Sequence, residues 1–283
     1  MSVLTQAPPA PSLVPSLVPS LVLPTPALAR TVRGSGPGLL LAHGAGGSVE
    51  GNYGPILDGL AAHHTVVGAD YPGTGKTPRS ATPLDVDELA DQLVAAADAE
   101  GLDTFAIAGF SLGGPVAVRA AVRHPERVTA LVLTAAFAHR DSKLDLAAGL
   151  WQRLHESGDH SLLAEYLTLV ALSTPALNAL APDPLRAGVD LLAEAIPPGT
   201  PDHTDLVRRI DVRDDLARVA VPTLVISTTG DPLVSPALHR QLADRIPGAR
   251  LAEIATGHLP FAERPEEWLE LITSFLDEQI PRA

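Results

Sequence analysis

Residues 107–114 read Ile107-Ala108-Gly109-Phe110-Ser111-Leu112-Gly113-Gly114, and this stretch decides the fold. The apolar run at 104–108 predicts a buried strand, and residues 115–123 predict a helix. Between them, Gly109-x-Ser111-x-Gly113 has the spacing that holds a serine at a sharp strand-to-helix turn. A side chain at either glycine would collide with the neighbouring strand or helix, and glycine tolerates unusual backbone angles without steric cost. Ser111 falls where the free N–H groups and dipole of a helix start favour a developing negative charge. A Gly-rich turn with a bystander serine fits the same eight residues, so the rest of the chain has to decide.

Working outward, a rhythm of strand and helix surrounds the turn. Residues 30–33 and 39–42 predict strands, followed by a helix carrying Ile56, Leu57 and Leu60 and a strand at 65–69. A helix at 86–100 leads into the Ser111 strand, and another strand follows at 128–133. Strand and helix in alternation predict a mostly parallel, twisted α/β sheet with helices on both faces. In such sheets reactive groups gather at the carboxyl ends of the strands. His43, Asp70 and Ser111 all lie at such ends.

The rhythm stops over residues 136–207. Apolar positions there recur at helical spacing (Leu144, Ala147, Leu150, Trp151, Leu154), and a helix is expected to start at Pro182. The segment reads as a helical cap over the strand ends, with Trp151, Tyr166 and leucines as candidate pocket walls. The strands resume at 223–227 and 250–254, and an amphipathic helix at 265–279 closes the pattern.

Composition narrows the function. The net charge of −13, with Lys76 and Lys143 the only lysines, speaks against nucleic acid or an anionic membrane as partner. The chain has no cysteine, which excludes disulfides and thiolate metal sites. No metal ligand set is apparent, and the pattern calls for no cofactor. Gly75-Lys76-Thr77 imitates the end of a phosphate-binding loop, but that loop needs glycine at position 70, which is aspartate. Residues 1–28 form a proline-rich arm with Pro-Ser-Leu-Val repeated from Pro11, Pro15 and Pro19, expected to be extended. The arm carries no basic residue before Arg30 and prolines interrupt its apolar run, so a cytoplasmic protein is expected over a secreted one. The oligomeric state is not legible.

Three polar residues fall at strand ends in the order Ser111, Asp231, His258. A serine hydroxyl needs a neighbouring base to become a nucleophile, and an imidazole needs a carboxylate to fix its tautomer. Asp231 is preferred as the acid over Asp70, expected to brace a turn, and over Asp141, expected to be solvated beside Arg140. The Gly-rich loop His43-Gly44-Ala45-Gly46-Gly47 offers a backbone N–H from Ala45 (or Gly46) to join that of Leu112 as an oxyanion hole. His43 itself is read as a structural histidine orienting this loop.

Together His43-Gly-Ala-Gly-Gly47, Asp70-Tyr-Pro-Gly73, Gly109-Phe-Ser-Leu-Gly-Gly114, His124-Pro-Glu-Arg-Val128, Gly230-Asp-Pro232 and Gly257-His258 resemble the alpha/beta-hydrolase fold family over residues 29–279. The resemblance implies a core of residues 29–135 and 208–283 with the cap at 136–207 inserted after the sixth strand. It also implies a first edge strand before Arg30, for which the proline repeat is a poor candidate. The activity it implies is a serine hydrolase of carboxylic esters of small molecules, with an apolar acyl group. Carbon–carbon bond hydrolases, lactonases, cofactor-free haloperoxidases and non-catalytic ligand binders of the same fold are the alternatives. A serine at the turn speaks against the branches that use an aspartate nucleophile there. Asn52-Tyr53 has a faint likeness to the carbon–carbon hydrolases, although the loop lacks their glycine-proline step.

Overall fold

The computed structural model describes residues 27–279, so residues 1–26, with the proline repeats of the arm and any strand among them, lie outside the described residues. The first half builds strands β1 (Arg30–Arg33), β2 (Gly38–Ala42), β3 (Thr65–Ala69), β4 (Phe105–Phe110) and β5 (Val128–Thr134). Helices α1 (Val49–Ala61), α2 (Val86–Asp98) and α3 (Gly113–Arg123) connect them. Five helices follow without a strand: α4 (Ser142–Glu156), α5 (His160–Ala171), α6 (Thr174–Ala179), α7 (Pro182–Ala195) and α8 (Thr200–Arg209). The pattern then resumes with β6 (Thr223–Thr228), α9 (Pro236–Arg245), β7 (Arg250–Ile254), α10 (Pro260–Glu263) and α11 (Pro265–Gln279).

The seven strands order as β1-β3-β2-β4-β5-β6-β7, all parallel except β1, which runs antiparallel to β3 at the edge. Strand residues alternate between two cores, as the two-residue period of a strand requires. Leu39 and Leu41 pack with α1 and α11 (Tyr53, Leu57, Trp268, Ile272), while Leu40 and Ile107 pack with α2 and α3 (Leu93, Val116). β2 and β4 are buried at every position, which is why they read as unbroken apolar runs. Among the described residues the helical insertion follows the fifth strand; the sixth-strand count presumes the strand before Arg30. Among the described residues no helix is long and apolar enough to cross a membrane.

Two element boundaries at the Ser111 turn differ from those expected from sequence. β4 continues through Phe110 and α3 begins at Gly113, so the turn itself is only Ser111 and Leu112. The aspartates set aside as acids both hold helix starts. Asp70 Oδ1 accepts the N–H of Val49 at the start of α1 (2.8 Å), and its carbonyl accepts the Thr77 hydroxyl (2.7 Å). Asp141 is not merely solvated: its carboxylate caps α4 by accepting the Leu144 N–H at 2.8 Å.

Candidate active site

Ser111 sits in the left-handed region at φ 51°, a conformation that a non-glycine residue adopts only when its surroundings enforce it. The enforcement is visible at its neighbours. A Cβ on Gly109 would lie 2.5 Å from the Gly113 carbonyl oxygen, and one on Gly113 would lie 1.9 Å from that of Ala42. Both glycines are therefore required by contact, as their spacing suggested. The Ser111 N–H donates to the Thr134 carbonyl at 3.0 Å, pinning the turn to β5.

Asp231 lies just beyond β6 and His258 just beyond β7, both at the carboxyl edge of the sheet. The Asp231 Oδ1 accepts the N–H groups of Leu233 (2.8 Å) and Val234 (2.9 Å). Its Oδ2 accepts the Thr228 hydroxyl at 2.9 Å and His258 Nδ1–H at 2.8 Å. Burial alone would raise this carboxyl, but the charge and hydrogen bond of His258 and these N–H donors hold it below the usual carboxylate range. With its Nδ1 proton committed to Asp231, His258 presents the lone pair of Nε2 to the Ser111 hydroxyl, 3.0 Å away. All three side chains are buried. Sequence positions 147 apart thus meet in one hydrogen-bonded line from carboxylate to hydroxyl.

The Gly-rich loop packs directly on this line: a Cβ at Gly44 would lie 3.3 Å from Ser111 Cβ. Its three glycine amides are already used, that of Gly47 by the Gly44 carbonyl at 3.2 Å. Gly44 N–H donates to Asn52 Oδ1 (2.9 Å) and Gly46 N–H to His203 Nδ1 (3.1 Å). The N–H groups of Ala45 and Leu112 have no acceptor among the described residues, whereas that of Gly46 is taken by His203. Asn52 and Tyr53 have structural work here, since the Tyr53 hydroxyl lies 2.8 Å from the Ala108 carbonyl and 3.2 Å from that of Ala42.

His43 holds the loop and does not join the line. Its Nε2 accepts the Tyr71 N–H at 2.8 Å, so the ring proton is on Nδ1 and donates to the Gly44 carbonyl at 2.8 Å. Burial, reinforced by His203, lowers its pKa to about 3, and it stays neutral. His203, on α8, was not anticipated; it bridges Gly46 to the Pro72 carbonyl, 3.0 Å from its Nε2. Glu263 was also missed. It accepts the N–H groups of Ser173 and Gly257 at 2.8 and 3.0 Å, tying the loop of His258 to the helical insertion. The His258 N–H itself donates to the Ala171 carbonyl at 2.7 Å, at the end of α5. A buried His239 completes the missed set, with Nε2 3.9 Å from Asp231 Oδ2.

Above Ser111 lies a cavity of about 470 Å³. Ser111 and His258 border it from the sheet, and Trp151, Leu167, Leu172, Leu185 and Leu192 from the insertion. Trp151 takes the expected place, and its ring prevents any side chain at Gly46, whose Cβ would be 2.8 Å away. Tyr166 does not: its hydroxyl donates to the Ala147 carbonyl at 2.8 Å and joins α5 to α4, outside the cavity.

Comparison with known proteins agrees with this architecture. The sequence profile of the alpha/beta hydrolase fold matches residues 37–265. Pyrrolizixenacetamide deacetylase of Xenorhabdus hominickii is 35% identical over 253 residues, covering 88% of this chain and 95% of that protein. The pimeloyl-[acyl-carrier protein] methyl ester esterase of Neisseria meningitidis serogroup A is 30% identical over 235 residues, or 78% of this chain and 71% of the esterase. Among solved structures, the enol-lactonase of Burkholderia xenovorans LB400 superposes with a TM-score of 0.79 over 88% of this chain and 96% of its own. Its 23% identity speaks to the fold alone.

Proposed function

The chain belongs to the alpha/beta hydrolase fold family, whose relatives named above are hydrolases, and we propose that it cleaves a carboxylic ester of a small molecule through an acyl-enzyme on Ser111. In this reading His258 Nε2 removes the Ser111 proton as Oγ attacks the substrate carbonyl carbon. The ring becomes an imidazolium, stabilised by the Asp231 carboxylate. The carbonyl oxygen takes the negative charge between the N–H groups of Ala45 and Leu112, donors already fixed in direction before reaction. Nε2–H then passes its proton to the departing oxygen. A water attacks the acyl-enzyme by the same route and restores Ser111. Residues 136–207 serve as the cap that shields these steps from bulk water and offers apolar walls to the substrate.

The observation that carries the proposal is the line Asp231–His258–Ser111 at 2.8 and 3.0 Å, buried and aimed from one strand edge. A fluorophosphonate probe tests it: Ser111 should be labelled one to one, with loss of ester hydrolysis in step. Labelling at another serine, or full activity after labelling, would refute it.

An amide is the second reading, favoured by the name of the Xenorhabdus relative, a deacetylase of an acetamide. The same residues serve it, with the proton from His258 going to a departing amine.

A further inference from the structure

Ser111 faces a second, smaller cavity of about 20 Å³. Leu144 and Val207 form part of its wall, and Ala45, Ser111, Trp151 and Leu233 border both cavities. His258 borders only the larger one. This asymmetry assigns a direction to the substrate. The atom that departs must receive its proton from His258 Nε2, so the leaving group occupies the cavity that His258 borders. The carbonyl oxygen is committed to the amides of Ala45 and Leu112. The remaining substituent of the carbonyl carbon, the acyl chain, is then left with the small cavity beside Ser111 and Ala45. A space of this size admits about one water-sized group, which a methyl fills.

We infer that the substrates are acetyl esters or acetamides of a sizeable apolar alcohol or amine, the acetyl methyl seated against Leu144 and Val207 and the leaving group under the cap. The inference rests on the proposed Ser111 acyl-enzyme. The balance of the step is simple. Ser111 Oγ bonds to the acetyl carbon as its proton moves to His258, and the carbon–oxygen bond to the leaving group breaks as that proton is returned to it, releasing the alcohol. Water then divides the acetyl-enzyme into acetate, a proton and free Ser111. This departs from the apolar acyl group expected from sequence: the apolar bulk sits on the leaving side, with only a methyl on the acyl side.

Isomeric esters test the direction without changing overall hydrophobicity. Hexyl acetate and ethyl hexanoate have the same formula but exchange the long and short arms; N-hexylacetamide and N-ethylhexanamide do the same for amides. The expected result is a kcat/KM about a hundred-fold higher for the acetyl isomer of whichever pair is turned over, the scale of discrimination that a pocket too small by a few methylenes supports. Val207→Ala should enlarge the small cavity and narrow that ratio about ten-fold; if this variant does not fold, the wild-type pair alone decides. Equal or faster turnover of the hexanoyl isomer overturns the direction while leaving a labelled Ser111 intact as nucleophile. Turnover of neither pair by a protein whose Ser111 is labelled overturns the assigned substrate class. Failure of Ser111 to label overturns the acyl-enzyme and this inference with it.

Discussion

The strand edge and the helical insertion hold their residues by opposite means. At the edge, Asp231 accepts four hydrogen bonds and Ser111 is forced to φ 51° by backbone packed against both of its glycines. The middle of the insertion buries little: α6 has no buried residue and α7 only Val189. Six of the large apolar side chains exposed among the described residues are leucines of the insertion, Leu146, Leu150, Leu162, Leu169, Leu180 and Leu191; Val32 and Leu251 are the others. Leu144, Ala148, Leu206 and Val207 join its two ends to the core of the sheet, and a few long-range tethers seat the rest. Chemistry demands geometry fixed to fractions of an ångström, whereas an apolar pocket tolerates variation in its walls.

The largest effect should come from the edge. Ser111→Ala should fold as wild type, by circular dichroism, and lose on the order of 10⁴ to 10⁶ in kcat, since the three residues act as one unit. A variant retaining a tenth of the activity would break the comparison at its strongest point. Asp231→Asn should cost roughly 10⁴ in kcat by presenting the wrong imidazole tautomer. Asp70→Asn and Asp141→Asn, which keep an acceptor oxygen at the helix starts they hold, should stay within a few-fold in the same assay.

The third test crosses between the regions. His203 reaches from α8 to the Gly46 amide, so His203→Ala should loosen the loop that carries Ala45. A loss of about 10²-fold in kcat with little change in KM is expected, the cost of a donor misplaced by about an ångström. An unchanged kcat would mean that the loop needs no support from the insertion.

Next is a pH effect on stability. Burial holds His43 near 3 and His239 near 4, against about 6.5 unfolded. A lowered folded-state pKa means that the unfolded chain binds more protons below about pH 6.5, so stability falls as pH drops from there toward 4. Each histidine contributes up to about 1.4 kcal/mol per pH unit to that slope. His239→Gln should flatten the slope by about one proton in urea melts at pH 6.5, 5.5 and 4.5; an unaltered slope would mean that His239 is not neutral in the fold. Smallest is Tyr166→Phe, which removes the bond to Ala147 and should cost about 1 kcal/mol of stability without altering the ranking of substrates. A changed ranking would return Tyr166 to the pocket.

The same division governs what could be read in advance. Every strand of the sheet among the described residues was legible within two residues, β2 to β6 as apolar runs and the edge strands β1 and β7 from the rhythm around them. Ser111, Asp231 and His258 were legible because strand ends converge by topology. In the insertion the helical period located α4 and Pro182 marked the start of α7, but α6 and α8 carry no long apolar stripe. His203 and Glu263 escaped for a different reason. Their partners lie 157 and 90 residues away, and neither a lone histidine on a polar helix nor a glutamate ending a four-residue one has a local pattern to mark what it reaches.

The bond from the His258 N–H to the Ala171 carbonyl, doubled by Glu263 between Ser173 and Gly257, makes two functions one mechanical variable. Any swing that lifts α5 from the sheet draws His258 away from Ser111, so by the proposed mechanism a gaping enzyme is also a disarmed one. α7, which buries only Val189, lies beyond that tether, and its leucines are the part of the insertion that can shift while α5 stays clamped. The protein can thus admit its substrate with the trigger already set.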